Sequence, residues 1–404
     1  MIKLNGDHLQ FDFEDRVTIP YARGKQAFVL AGGRLLDEAK QLFGREGMNL
    51  CLKIFIVPME GEFENYDWGR PWRHYIRDRC REIGYLSTLE EASLVQNILW
   101  LEGYAPRVYG HLLIEKGGKL YPAQLADYLE GSSDRSQIWV HERRLMLEAL
   151  LVKYGCLPCH KDLISSKDFI DDKLIDLQGF RTAKKTGEAI VKLLREGGKY
   201  GKAIYQSVKE LGIGAHPRDT EARIRQMHLD TVDFRGKTVL DVGCNVGMLC
   251  NYASRAGAKR VIGIDQTGEM VRSAYLIAFY LGQHNNDYYA YDLLQEKMPD
   301  CVTAQNDTTP PWCQEIDITF FLSMNLHVGV PEWMLEKTKE LLIFEENAKS
   351  SKFKTDYWLN YLSKSFGDVK VVGHTKDHNP KFPKPIIFAR KELKNENIRN
   401  DERI

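Results

Sequence analysis

The sequence has no excess of either charge. Lysine plus arginine and aspartate plus glutamate number 56 each over 404 residues. Phosphate binding leaves a basic footprint, so this balance gives no support to a nucleic-acid partner, although it leaves a local basic patch open. No apolar run approaches the roughly 18 residues that a membrane-spanning helix needs. The first residues carry Asp7, Asp12, Glu14 and Asp15 where a secretory leader has its apolar centre. The eight cysteines lack the rhythm of a disulfide scaffold. A reducing, cytoplasmic setting is the expectation. Cys156-Leu-Pro-Cys159-His160 matches a haem-attachment pattern. Covalent haem normally follows export, however, and zinc would want two further ligands nearby. Neither haem nor a metal is expected there. What remains, 43% apolar and 28% charged, is the composition of a globular protein with room for two or three domains.

The carboxy-terminal half alternates between strand and helix signals. Lys237-Thr-Val-Leu-Asp-Val242 is a β-branched run, Gly243-Cys-Asn-Val-Gly247 a turn, and Met248 to Ala256 has helical apolar spacing. Gly257 breaks that pattern, and Arg260-Val-Ile-Gly-Ile264 reads as the next strand, ended by Asp265. This is a β-α-β unit with a ligand-binding turn. Gly243 allows close backbone approach, Asn245 tolerates left-handed backbone, and Gly247 opens a helix whose free N–H groups face a ligand. Asp265 follows Gly243 by 22 residues, the usual distance for an acid that bonds a ribose diol. A dinucleotide fingerprint would need glycine at Asn245 and Met248, so that reading is poorly served.

The segments Val239-Leu-Asp-Val-Gly-Cys-Asn-Val-Gly247 and Val261-Ile-Gly-Ile-Asp265 resemble motifs I and II of class I S-adenosylmethionine-dependent methyltransferases. The resemblance extends over further strands: 287–292, 316–325, 339–346, and a terminal antiparallel pair, 368–374 with 384–390. It implies an α/β fold with a seven-stranded Rossmann-like sheet over residues 231–391. It implies a cofactor site of Asp241, Gly243, Cys244, Asn245, Gly247, Asp265, Gln266, Asp292, Leu293 and Ser323. Asp292 falls where the adenine amino group is bonded, with Leu293 as donor or wall. A helix starting near Asp219 resembles one that covers the cofactor, and Arg218 or Arg223 is a candidate partner for the cofactor carboxylate. His327, just past strand four, is the candidate catalytic base or substrate-orienting group. Glu345 and Glu346 at the end of strand five, and His374, Asp377 and His378, are weaker candidates for the acceptor pocket.

The amino-terminal half, residues 1–182, reads as an α+β domain. Its order is a strand over 49–57 containing Lys53, a helix over 86–101 containing Glu91, and a strand pair at 108–115 and 119–130. His160-Lys-Asp162-Leu and Asp176-Leu-Gln-Gly179 follow. That order resembles a protein-kinase or aminoglycoside-kinase fold, implying a candidate nucleotide and Mg2+ site at Lys53, Glu91, Asp162 and Asp176. It departs from the pattern at Lys167, where the catalytic-loop asparagine would stand. Residues 183–230 read as a helical linker with the cofactor-covering helix, and 392–404 as a charged tail.

The pairing resembles bacterial polysaccharide-capping kinase/methyltransferases. A glycan or small-metabolite acceptor, methylated at O or N, is therefore the expectation, with S-adenosylmethionine as cofactor and ATP with Mg2+ as candidates for the first domain. Two alternatives stay open: a tRNA-modifying methyltransferase and a non-catalytic nucleotide-binding scaffold.

Overall fold

The computed structural model describes residues 9–10, 27–55, 82, 84–116, 119–131, 136–158, 169–174, 180–182, 185–196, 206–213, 219–294, 312, 314–346, 355–375 and 383–391. The chain divides into two compact units. One comprises Met1–Ile204, Lys209–Ile213 and Arg272–Asn286; the other comprises Tyr205–Val208, Gly214–Val271 and Asp287–Ile404. Among the described residues, no helix is long and apolar enough to cross a membrane.

The first unit opens with β1 (Leu9–Gln10), β2 (Ala27–Leu30), α1 (Arg34–Leu42) and β3 (Leu50–Phe55). Next come α2 (Tyr85–Leu101), β4 (Val108–Lys116), β5 (Lys119–Asp127) and α3 (Gln137–Lys153). Four short strands, β6 (Cys156–Pro158), β7 (Phe169–Ile170), β8 (Lys173–Leu174) and β9 (Phe180–Thr182), lead to α4 (Lys185–Glu196). The main sheet has the order β1-β4-β5-β3-β2. Leu35, Leu36 and Ala39 of α1 close its core against Leu50, Leu52, Leu112 and Leu125.

The helix α2 is buried at every residue from Ser93 to Leu99, its polar ones included. Buried polar groups must be hydrogen-bonded, and these are. The Ser93 hydroxyl donates to the Leu89 carbonyl at 2.9 Å, accepts from Gln124 Nε2 at 2.7 Å, and stands 2.8 Å from His111 Nε2. Its one proton is committed to Leu89, so His111 must donate through Nε2. Asn97 exchanges hydrogen bonds with both backbone groups of Val108 and reaches His284 Nδ1 at 3.0 Å. The Asn97 amide donates, so His284 Nδ1 accepts, and the two imidazoles lie with ring centroids 5.7 Å apart. Arg107 lies over the rings of Trp100, Tyr109 and Tyr275 at 4.9, 4.6 and 5.2 Å, and donates to the Asn286 carbonyl at 2.6 Å.

The second unit contributes α5 (Thr220–Gln226), β10 (Thr238–Val242), α6 (Met248–Arg255), β11 (Arg260–Asp265) and the start of α7 (Gly268–Tyr280). It continues through β12 (Asn286–Ala290), β13 (Ile316–Leu322), α8 (Asn325–Val328), α9 (Glu332–Lys337) and β14 (Thr338–Glu345). It ends with α10 (Thr355–Leu362), β15 (Asp368–Thr375) and β16 (Lys384–Arg390). The sheet is seven-stranded, ordered β12-β11-β10-β13-β14-β16-β15. β10 pairs in parallel with β11 and β13, and β13 with β14, whereas β16 is antiparallel to both its neighbours. The strand order reverses between β10 and β13. Connections from those two strands leave in opposite directions there, so a crevice opens beyond their carboxyl ends. The strands expected from the sequence match these in order and within a few residues.

The buried histidines make the first unit sensitive to acid. Burial pushes His111 down to about 4, and burial, His111 and Arg107 push His284 well below its ordinary value. An unfolded chain protonates histidine below about 6.5, while the folded one resists until near 4, so stability falls as pH drops through that window. In thermal melts across it, His111→Gln should flatten the slope; an unchanged slope would remove this histidine as its source.

Candidate functional site

The crevice is built by short segments of the second unit. β10 ends in Asp241 and runs into a turn with left-handed backbone at Gly243 (φ 77°), Asn245 (φ 53°) and Gly247 (φ 74°). At the two glycines, neighbouring side chains also crowd the place a Cβ would take. A Cβ on Gly243 would lie 2.5 Å from Met324 Sδ, and one on Gly247 2.5 Å from the Tyr288 hydroxyl. The turn is fastened to β11: the N–H groups of Gly243 and Cys244 both donate to the Ile264 carbonyl, at 2.8 and 3.0 Å. The Asn245 N–H donates to Asp265 Oδ2 at 3.0 Å, and Thr267 N–H to Asp265 Oδ1 at 3.2 Å. Gly247 then caps α6, and the Met248 N–H donates to Gln206 Oε1 at 3.2 Å.

A cleft lies over this turn, lined by Gln206, Thr220, Arg223, Asp241, Gly243, Leu249 and Leu322. Thr220 and Arg223 belong to α5, whose Asp219 caps it by accepting from the Ala222 N–H at 3.0 Å. The side-chain carbonyl of Asn245 is buried without a hydrogen-bond partner.

Asp241, 3% exposed, stands at the cleft floor. Burial pushes its carboxyl up to about 7, opposed by the Cys250 thiol at 3.4 Å and by Arg223, and reinforced by Asp265. Burial also raises the thiols of Cys244 and Cys250. Neither is a thiolate at neutral pH, so the turn cysteine is packing rather than nucleophile.

Other expected positions lie around the same edge. Asp265 and the exposed Gln266 close β11. Asp292 and Leu293 follow β12, with Asp292 Oδ1 accepting from the Leu294 N–H at 3.0 Å and Leu293 packing on the core of the sheet. Ser323 follows β13 with left-handed backbone (φ 59°). Its hydroxyl donates to Glu345 Oε2 and accepts from Lys384 Nζ. His327 is exposed on α8, and His374 is exposed on β15. In the first unit, Lys53 sits on β3 with its ammonium 5.6 Å from the Phe55 ring centroid, and Glu91 is buried on α2. Asp162, Asp176, Arg218, Asp377 and His378 lie outside the described residues. Gln206, Thr220, Thr375 and Lys384 were not singled out in the sequence. Lys384 carried a faint signal, as a charge opening an apolar strand.

No protein-family model matches the chain. It is 45% identical over 69 residues to protein arginine N-methyltransferase 1 of Dictyostelium discoideum, covering 17% of this chain and 19% of that protein. Over 130 residues it is 30% identical to the probable protein arginine N-methyltransferase 3 of Oryza sativa subsp. japonica, 31% of this chain and 19% of that one. Over 54 residues it is 50% identical to the ribosomal protein L11 methyltransferase of Tolumonas auensis, 13% and 18% of the two chains. The chain spans less than a fifth of the length of these relatives. Among solved structures it is similar to magnesium protoporphyrin IX methyltransferase from Synechocystis PCC 6803 with bound SAM (18% identity, TM-score 0.32, 42% of this chain and 77% of that one). It is also similar to the bifunctional kinase-methyltransferase WbdD (18% identity, TM-score 0.37, 50% and 45%).

The raised carboxyl of Asp241 gives a signed expectation. The folded chain keeps a proton that the unfolded chain releases near pH 4, so this contribution to stability is lost as pH rises through about 7. Asp241→Asn stays neutral throughout. Its stability advantage should widen between pH 4 and 7, by on the order of a few kcal/mol, and then level off. Urea unfolding of both proteins checks this, and a constant gap would contradict it.

Proposed function

We propose that the chain is an S-adenosylmethionine-dependent methyltransferase acting on an O or N acceptor of a glycan or small metabolite. The observation that carries this reading is the left-handed Asp241–Gly247 turn, clasped by Asp265, beneath a cleft that Asp241 and Gly243 line. The names of the matched relatives, all methyltransferases, support the reaction class.

The cofactor brings a methyl group on a sulfonium, already activated for displacement. The chain's own work is to orient and to exclude. The turn from Gly243 to Gly247, with Cys244 packed behind it, receives the amino-acid end, and Arg223 its carboxylate. Asp265 bonds the ribose diol with the lone pairs left beside its turn contacts, and Gln266 flanks it. Asp292 faces the adenine amino group and Leu293 walls the ring. Ser323 shapes the opposite lip through its backbone, its hydroxyl being engaged with Glu345 and Lys384. His327, at the acceptor side, would take the proton of a hydroxyl acceptor during transfer, or free the lone pair of an amine by deprotonating it beforehand. Glu345 is unsuited to that task, because a carboxylate receiving several donors is a poor base.

Calorimetry with S-adenosylmethionine should show binding that Asp265→Ala weakens. Absence of binding to the wild type at millimolar cofactor would sink the reading. With an acceptor in hand, His327→Gln should lower kcat by about 10²- to 10⁴-fold while cofactor affinity holds. Methyl-label transfer to oligosaccharides, bulk tRNA and protein fractions separates the acceptor classes, and a salt-sensitive gel shift with tRNA would favour the RNA alternative.

A second reading concerns the first unit. The five-stranded sheet with Lys53 on β3, followed by a long helix carrying the buried Glu91, favours a nucleotide-binding, kinase-like domain. ATP with Mg2+ should then raise the melting temperature, and Lys53→Ala or Asp176→Ala should abolish the rise. No rise would leave this unit an accessory domain, and the chain without a phosphotransfer role.

A further inference from the structure

The turn beneath the cleft has the outline of an anion site, yet N–H groups along it are spent within the chain. A strand-turn-helix unit of this shape can offer its turn and the start of its helix to a phosphate. Here the Gly243 and Cys244 N–H groups both go to the Ile264 carbonyl, and the Asn245 N–H goes to the Asp265 carboxylate. The Gly247 N–H donates to the Cys244 carbonyl at 2.9 Å. The Met248 N–H, the first of α6, donates to Gln206 Oε1 at 3.2 Å. The sequence suggests free N–H groups at this helix start. The structure instead fills the one on Met248 with a side chain from 42 residues upstream.

Gln206 differs from the other acceptors. Ile264, Asp265 and Cys244 belong to the β10-α6-β11 unit, and changing them would disturb the turn itself. Gln206 comes from outside that unit and lines the cleft together with Thr220, Arg223 and Asp241. Its neighbour fixes its position. The Thr220 N–H donates to Ser207 Oγ at 2.9 Å, and the Thr220 hydroxyl donates to the Ser207 carbonyl at 3.0 Å, which pins this stretch to the start of α5. The contact with Met248 also fixes which way the Gln206 amide points. A backbone N–H only donates, so the carbonyl end of the amide must face it. A phosphate oxygen approaching the start of α6 therefore meets the negative end of an amide dipole where it needs a donor. At Asn245 it meets a carboxylate already in place.

We propose that Gln206 is a specificity-determining residue of the cleft: by occupying the Met248 N–H it turns away ligands that carry phosphate and keeps the site for an adenine nucleoside without one. The inference rests on the methyl-donor reading above and adds the ligand class that the site rejects, adenine nucleotides and dinucleotides. These share adenine and ribose with the methyl donor, so contacts to the nucleoside cannot separate them. Specificity is a difference of affinities, and here it must arise at the 5′ end, where Gln206 stands.

The test is competition against labelled S-adenosylmethionine, by equilibrium dialysis of the full chain without Mg2+, so that the readout is confined to the methyl-donor site. The competitors are adenosine and adenosine 5′-diphosphate, which differ only in the diphosphate. Wild type should prefer adenosine. Gln206→Ala frees the Met248 N–H and should improve the diphosphate relative to adenosine by about 10-fold or more, the worth of one hydrogen bond to a charged group. Gln206→Glu keeps an acceptor oxygen and should hold the wild-type preference or deepen it. An unchanged ratio in Gln206→Ala, an equal shift for both competitors, or a wild type that takes the diphosphate as readily as adenosine would each overturn the proposal. Should Gln206→Ala fail to fold, Gln206→Met keeps the bulk and removes the amide; the same gain is expected, and its absence overturns the proposal equally. If wild type binds no S-adenosylmethionine, the methyl-donor reading falls and this inference with it. If it binds and the ratio does not move, the inference falls alone.

Discussion

The second unit depends on how one turn is tied down. Three of the five residues from Gly243 to Gly247 have left-handed backbone, a conformation that costs a non-glycine residue about 1–2 kcal/mol. The turn persists because two successive N–H groups converge on the Ile264 carbonyl and a third reaches the Asp265 carboxylate. These bonds join the carboxyl end of β10 to that of β11. They also aim the start of α6 into the crevice where the strand order reverses. Asp265 therefore holds the turn from the carboxyl end of β11.

The charges around that cleft follow from burial. An isolated buried ion is costly, so a carboxyl taken out of water must either keep its proton or gather donors. Asp241 and Glu345 take the two courses side by side. Asp241 has the Cys250 thiol and Arg223 for company, and burial pushes its carboxyl up to about 7. Glu345 draws a guanidinium, two hydroxyls and a nearby ammonium, and it stays charged. Arg223 donates to Glu345 and lines the same cleft as Asp241.

The first unit shows the same rule applied to polar side chains without charge. Ser93, Gln96, Asn97 and Gln124 are buried, and each spends its donors on backbone or on a neighbouring polar group. His111 and His284 complete the set as neutral acceptors and donors. His284 comes from a stretch, Arg272–Asn286, that stands far along the chain yet packs within this unit.

Much of the fold was legible because strand signals are local. Apolar and β-branched runs named the first two strands of the second sheet and the family resemblance the other five, while Gly257 and Asp219 marked a helix end and a helix start as their turn and capping chemistry requires. The spacing of Gly243, Asn245, Gly247 and Asp265 likewise placed the candidate cofactor site, since a strand-turn-helix unit brings those positions together by itself. Residues far apart in sequence were another matter. Nothing local says that Arg223, Ser323, Glu345, Thr375 and Lys384 meet, because their meeting depends on strand order and on the antiparallel return of β16. Nor does α2 announce that its polar residues are buried, since a helix turns a different face to each neighbour and only packing decides which are covered. The sequence by itself determined the elements and the turn between them. The tertiary structure decided which charges share a dry space, because desolvation is a property of the assembled neighbourhood and not of any one segment.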